Sequence, residues 1–112
     1  MGAGPNAPGD VPVGFAVLYR WRLRAGSEAS FQEAWARVTK ALRRERAALG
    51  SRLHRSEDGF WVAYAQWPSR EAWEHSRQAG AVDQAAARSM AEAIEESLEP
   101  ILLRPCADYL VG

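Results

Sequence analysis

Residues 50–67, GSRLHRSEDGFWVAYAQW, place two strand-forming runs on either side of Asp58-Gly59. That dipeptide favours the type I′ turn of a two-residue hairpin. Such a turn pairs Glu57 with Phe60, and this pairing fixes the register of everything beyond it. Cross-strand partners share a face, so Arg52 and His54 are expected opposite Ala65 and Ala63, with Trp61 and Trp67 bracketing the alanines. The opposite face then takes Leu53, Arg55, Val62, Tyr64 and Gln66. One face thereby combines an imidazole, a fixed cation, two small residues and two indoles, a set suited to a pocket floor.

Upstream, GFAVLYRWRL (residues 14–23) puts Phe15, Val17, Tyr19, Trp21 and Leu23 on one side of a strand. Ala16 and Leu18 share the other side with Arg20 and Arg22, so the apolar end is expected to be covered on both faces. Ala25-Gly26 breaks the strand. Ser27 or Ser30 can cap the next helix, with Glu33 completing a capping box from Ser30. Phe31, Trp35, Val38 and Leu42 then form one apolar stripe, and the helix is expected to run to Ala47 or Ala48.

Downstream of Trp67, Pro68 stops the strand, Ser69 is a suitable N-cap and Glu71 suits a first turn. A short helix reaches about Gln78 and Gly80 interrupts it. Val82, Ala86, Met90, Ile94 and Leu98 make a second helical row, which Pro100 ends. Ile101 to Val111 reads as a last strand, with Pro105 arguing for an edge or a bulge.

Strand, helix, strand, strand, helix, strand is the split βαβ arrangement: an α+β, ferredoxin-like βαββαβ fold with a four-stranded antiparallel sheet and helices on one face. Leu53, Val62, Tyr64, Leu18 and Ala16 are expected on the uncovered face, which is too apolar to remain wet. A homodimer packed sheet to sheet is the expected partner arrangement.

The 112 residues fit one domain, residues 13–112, behind a Gly/Pro/Ala tail at residues 1–12. No apolar run reaches transmembrane length and no signal pattern opens the chain. Cys106 is the single cysteine, which agrees with a reducing, cytoplasmic location and leaves neither a disulfide nor a cysteine-based metal site. Fourteen basic residues balance fourteen acidic ones, so the basic excess of a nucleic-acid binder is missing and no membrane partner is expected. Five tryptophans in so small a chain can fill a core, line an aromatic-binding cavity or bury an interface.

The segments RAGSEASFQEAW (residues 24–35) and DGFWVAYAQWPSREAW (residues 58–73) resemble the antibiotic biosynthesis monooxygenase superfamily of dimeric α+β barrels. The resemblance spans nearly everything after the tail. It implies a pocket between sheet and helices and one of several chemistries: cofactor-free oxygenation of aromatic polyketides, haem degradation, or none yet assigned. The haem-degrading branch uses an Asn on the first strand, a Trp ending the third strand and a His on the next helix. Here Tyr19 holds the first position, Trp67 matches the second, and Ser76 holds the third with His75 beside it. The polyketide-oxidising branch pairs the Trp with an Asn on the same strand, where Ala63 and Ala65 offer no amide.

From the residues themselves, His54 can act as a general base and Arg52 beside it as an oxyanion stabiliser. The contrary reading makes the second strand an edge, with both side chains partly exposed. Trp67, Tyr19, Trp61 and Trp35 are the candidate substrate-binding walls; for each indole the contrary reading is core filling. His75 and the pair Glu95-Glu96 read as solvated, and Cys106 as a small packed residue. The leading expectation is a cofactor-independent, metal-free monooxygenase acting on an aromatic or quinol-like small molecule. Its rivals are a non-catalytic ligand-binding or regulatory barrel and a haem-degrading monooxygenase.

Overall fold

The computed structural model describes residues 12–110. All but Pro12 of the expected tail lies outside them, as do the last two residues. The elements follow in the order β1 (Phe15–Leu23), α1 (Glu28–Glu45), β2 (Ser51–Arg55), β3 (Trp61–Trp67), α2 (Arg70–Ala79), α3 (Gln84–Ala93), β4 (Ile94–Ser97) and β5 (Ile101–Leu103). The sheet is antiparallel in the order β2-β3-β1-β4, and β5 also pairs with β1. β4 and β5 thus share the far edge of β1, so five strands fill the four positions of a ferredoxin-like sheet.

β1 and β3 form the centre. Their register joins Phe15 with Trp67, Val17 with Ala65, Tyr19 with Ala63 and Trp21 with Trp61, all on the side of the helices. Large residues thus pair at both ends of this face and alanines occupy its middle. At one end Phe15, Val17, Trp67 and Trp73 make a buried cluster. At the other, Phe31 of α1 sits fully buried, edge-on to both Trp21 (5.2 Å) and Trp61 (6.3 Å). Phe15, Ala16 and Val17 are all buried, as expected of a strand start covered on both faces. Gly14 admits no side chain, because a Cβ there would collide with the Pro68 carbonyl oxygen as the chain leaves β3.

The hairpin differs from its expected form. Ser56, not Glu57, closes it: the Ser56 N–H donates to the Phe60 carbonyl at 2.7 Å and the Gly59 N–H to the Ser56 carbonyl at 3.0 Å. The loop is therefore Glu57-Asp58-Gly59, a turn followed by a left-handed Gly59 at φ +92°. A type I′ turn needs positive φ at both central residues, and Asp58 does not adopt it. Instead its carboxylate accepts from the Phe60 N–H at 3.1 Å. The one-residue shift pairs Arg52 with Tyr64, Leu53 with Ala63, and His54 with Val62. Every β2 side chain consequently changes face. Ser51, Leu53 and Arg55 join the helix side, and Arg52 and His54 move to the outer side, where Leu53 was expected.

The carboxy-terminal half also departs from expectation. α3 ends at Ala93, and Ile94, extended at φ −89° and ψ 124°, pairs with Leu23. The upper half of β1 needs partners for its free edge, and this requirement outweighs the helical spacing of Ile94 and Leu98. The Leu98 N–H then donates to the Arg20 carbonyl at 3.0 Å, the strand is interrupted through Pro100, and pairing resumes from Ile101 to Leu103. Pro105 lies beyond the last pair. At the amino ends, α1 starts after Ser27 with no side-chain cap, while Ser69 and Asp83 cap α2 and α3 by accepting from Ala72 and Ala86. Ser30 is inside α1, its hydroxyl donating to the Ser27 carbonyl.

Candidate functional site

Ala63 and Ala65 leave the middle of the helix-side face unfilled, and α1 spans the gap without collapsing into it. The result is a cavity of about 210 Å³. Ala63, Ala65 and Tyr19 form its floor, Trp35, Val38 and Leu42 its roof, and Trp21, Trp67 and Met90 its ends. Trp35, Val38 and Leu42 are only half-buried in the expected stripe because they face this space. An apolar cavity of about 150 Å³ accepts benzene. This one therefore has room for a substituted ring or two fused rings.

Its polar groups are few. Trp73 Nε1–H donates to the Tyr19 hydroxyl oxygen at 2.9 Å, so the phenolic proton is free to donate to a guest. Tyr19 stacks on Trp21 with ring centroids 5.7 Å apart. Burial raises its pKa above the ordinary 10.0, partly offset by the Trp73 hydrogen bond and the positive charge of Arg77. The group is thus a neutral donor near pH 7. Ser51, turned inward by the register, lines the opposite side, and its buried hydroxyl oxygen has no hydrogen-bond partner among the described residues. No carboxylate and no imidazole is among the lining residues.

Of the expected site residues, the fold brings Tyr19, Trp35 and Trp67 together around the cavity. Trp61 is placed below Phe31 in the core, with the Arg55 guanidinium 4.9 Å over its ring, and does not line the space. Arg52 and His54 are exposed on the outer face of an edge strand, remote from the cavity. His75 and Cys106 are exposed too. Ser51 and Trp73 were not anticipated as site residues. Ser51 was legible through the loop: Ser56 at the first and Gly59 at the fourth position suit a type I turn, and that turn sets the register turning Ser51 inward.

A second cavity of about 330 Å³ opens between the end of α2 and the start of α3. It shares Tyr19, Val38, Leu42 and Trp67 with the first and adds Trp73, Ser76, Arg77 and Asp83. Among the described residues no group of three or more His, Cys, Asp or Glu could hold a metal ion. The lining of the main cavity likewise offers no imidazole or thiolate to a haem iron.

The antibiotic biosynthesis monooxygenase family model matches residues 14–88, from the start of β1 into α3, and so takes in the whole cavity floor and roof up to Trp67. The chain belongs to that family. No curated protein sequence matches it. Solved structures of similar shape include the cofactor-independent oxygenase SnoaB of Streptomyces nogalater, with 17% identity over 88% of this chain and 98% of that one and a TM-score of 0.71. The ActVA-Orf6 monooxygenase of Streptomyces coelicolor, solved in complex with nanaomycin D, has 22% identity, 98% and 100% coverage and a TM-score of 0.69. Rv0793 of Mycobacterium tuberculosis has 18% identity, 86% and 98% coverage and a TM-score of 0.68. At such identities the likeness shows the fold alone. In this member of the antibiotic biosynthesis monooxygenase family the cavity is furnished mainly by two alanines, a phenol and indoles.

Proposed function

We propose that this protein oxidises a small aromatic phenol or quinol with dioxygen in the cavity between sheet and helices, without a metal or flavin. The observation that carries this reading is the largely apolar cavity in which the Tyr19 hydroxyl, its oxygen already accepting an indole N–H, is held as a donor beside the Thr39, Ser51 and Gln66 side chains. Family membership and the oxygenase and monooxygenase names of SnoaB and ActVA-Orf6 support the same chemistry.

In the proposed step, the guest phenol loses its proton and the phenolate ring carbon transfers electrons to dioxygen. A carbon–oxygen bond forms at that carbon, giving a hydroperoxide. Loss of water from the hydroperoxide leaves a quinone. One dioxygen and one phenol become one quinone and one water, with the ring oxidised and both oxygen atoms reduced. Tyr19 donates to the phenolate oxygen as negative charge develops, and the surrounding indoles exclude water. With no carboxylate or imidazole in the lining, the phenol leaves its proton to bulk solvent before it enters, so acidic phenols and quinols are the preferred substrates. Arg52 and His54 have no part in this scheme.

Oxygen uptake over a panel of dihydroxynaphthalenes and hydroquinones tests the proposal. Turnover consuming one dioxygen per hydroxylated quinone formed, with water rather than hydrogen peroxide as the co-product and reduced about 10- to 100-fold by Tyr19→Phe, is expected. Turnover unaffected by Tyr19→Phe would remove Tyr19 from the chemistry. Saturable binding without any oxygen uptake would favour a second reading, a ligand-binding barrel, to which the missing base gives specific support. A homodimer through the outer sheet face completes the proposal.

A further inference from the structure

The cavity described above does not end at Tyr19. The cleft between α2 and α3 shares four of its residues, and Tyr19 stands at the junction. The polar side chains of that cleft other than Tyr19 are already committed, with one exception. Asp83 accepts from the Ala86 N–H at 2.9 Å and from Arg37 at 3.1 Å. The Ser76 hydroxyl, the Ser76 carbonyl and the Gly80 carbonyl all accept from Arg46. Arg77 is the exception: among the described residues no carboxylate pairs with it, and its guanidinium carbon lies 4.8 Å over the face of Trp73. A guanidinium held against an indole and paired with no carboxylate keeps N–H donors available, and two of them together grip a carboxylate in bidentate fashion.

We propose that the cleft is an anionic subsite of the same site: the substrate is an aromatic carboxylate, its ring in the apolar cavity and its acid side chain reaching past Tyr19 to Arg77. This rests on the reading of the cavity as an aromatic-binding site, and it adds the substrate class. Trp73 links the two parts, since the indole that holds the Tyr19 oxygen also supports Arg77. Arg37 neutralises Asp83, so that carboxylate does not repel an incoming acid.

Naphthylacetic acid and naphthylacetamide, alike in shape and different in charge, are the probes, with binding followed by tryptophan fluorescence and calorimetry on the full chain. The acid is expected to bind about tenfold more tightly than the amide. Arg77→Gln is expected to lower acid affinity about tenfold and leave amide affinity within about twofold, with Arg77→Lys recovering part of the loss. The unchanged amide shows that the variant's cavity is intact. Equal affinity for the two probes, or acid binding indifferent to Arg77→Gln, overturns the subsite and leaves the aromatic cavity standing. Failure of both probes to bind overturns the cavity reading and the subsite with it.

Discussion

At the scale of single residues, Tyr19 does three things at once: it closes a hydrogen bond to Trp73, stacks on Trp21 and keeps a free proton toward the cavity. Tyr19→Phe would leave the N–H of the buried Trp73 without its acceptor, at a cost of about 1–3 kcal/mol at neutral pH by chemical denaturation. The pH dependence follows from the raised pKa. The folded protein holds this proton more tightly than the unfolded chain, whose tyrosine titrates near 10.0. The resulting stability is fully present below pH 10.0 and is lost as pH rises through the higher folded value. Tyr19→Phe is therefore expected to flatten the alkaline fall in urea midpoint, and an unaltered fall would separate that limb from Tyr19. Ala65 poses the complementary question. If the space above it is open, Ala65→Leu fills it, shifting stability by less than about 1 kcal/mol and weakening naphthyl ligands more than tenfold. A tightly packed site would lose about 1–3 kcal/mol to the same overpacking.

At the scale of elements, the hairpin shows what a sequence can specify and where a single residue decides the rest. Gly59 lies at φ +92° with nothing within 4 Å of where a Cβ would stand, so its requirement is torsional. Gly59→Ala is expected to cost about 1 kcal/mol in equilibrium unfolding, and Gly59→Asn less, because Asn tolerates the left-handed region. Equal costs for the two would point to a different loop. Both strands, their partnership and the Asp-Gly turn were legible from residue types. The loop length was not, because Asp-Gly suits both a two-residue turn and the three-residue loop that Ser56 closes. That ambiguity exchanged the β2 faces: Ser51 entered the cavity and the expected catalytic pair Arg52 and His54 left it. Tyr19, Trp35 and Trp67 were legible because β1, β3 and α1 carry their apolar periodicity without such a choice. The end of α3 was hidden for another reason, since Ile94 continues a helical spacing while β1 needs it as a strand partner.

At the scale of the whole molecule, the outer sheet face carries the argument for association. The corrected register replaces Leu53 there with Arg52 and His54, which makes the β2 side polar and concentrates the apolar surface at the other edge. Ala16 and Tyr64 line a groove there with Leu103, Tyr109 and Leu110. Tyr109 and Leu110 are 93% and 77% exposed, an arrangement costly for a free surface. On the same face the Arg20 Nε is buried without a hydrogen-bond partner among the described residues, a group a second copy could satisfy. A stable pair needs about 800 Å² from each subunit, more than the carboxy-terminal residues alone provide, so the contact must extend across β1 and β3. Light scattering at micromolar concentration should give the mass of a dimer. Tyr64→Glu, on the outer face opposite Arg52 and away from the cavity lining, should convert it to monomer and leave naphthyl binding within about twofold. A dimer that survives Tyr64→Glu would move the interface off this face, whereas loss of ligand binding together with the dimer would mean that the cavity takes its shape from the pair.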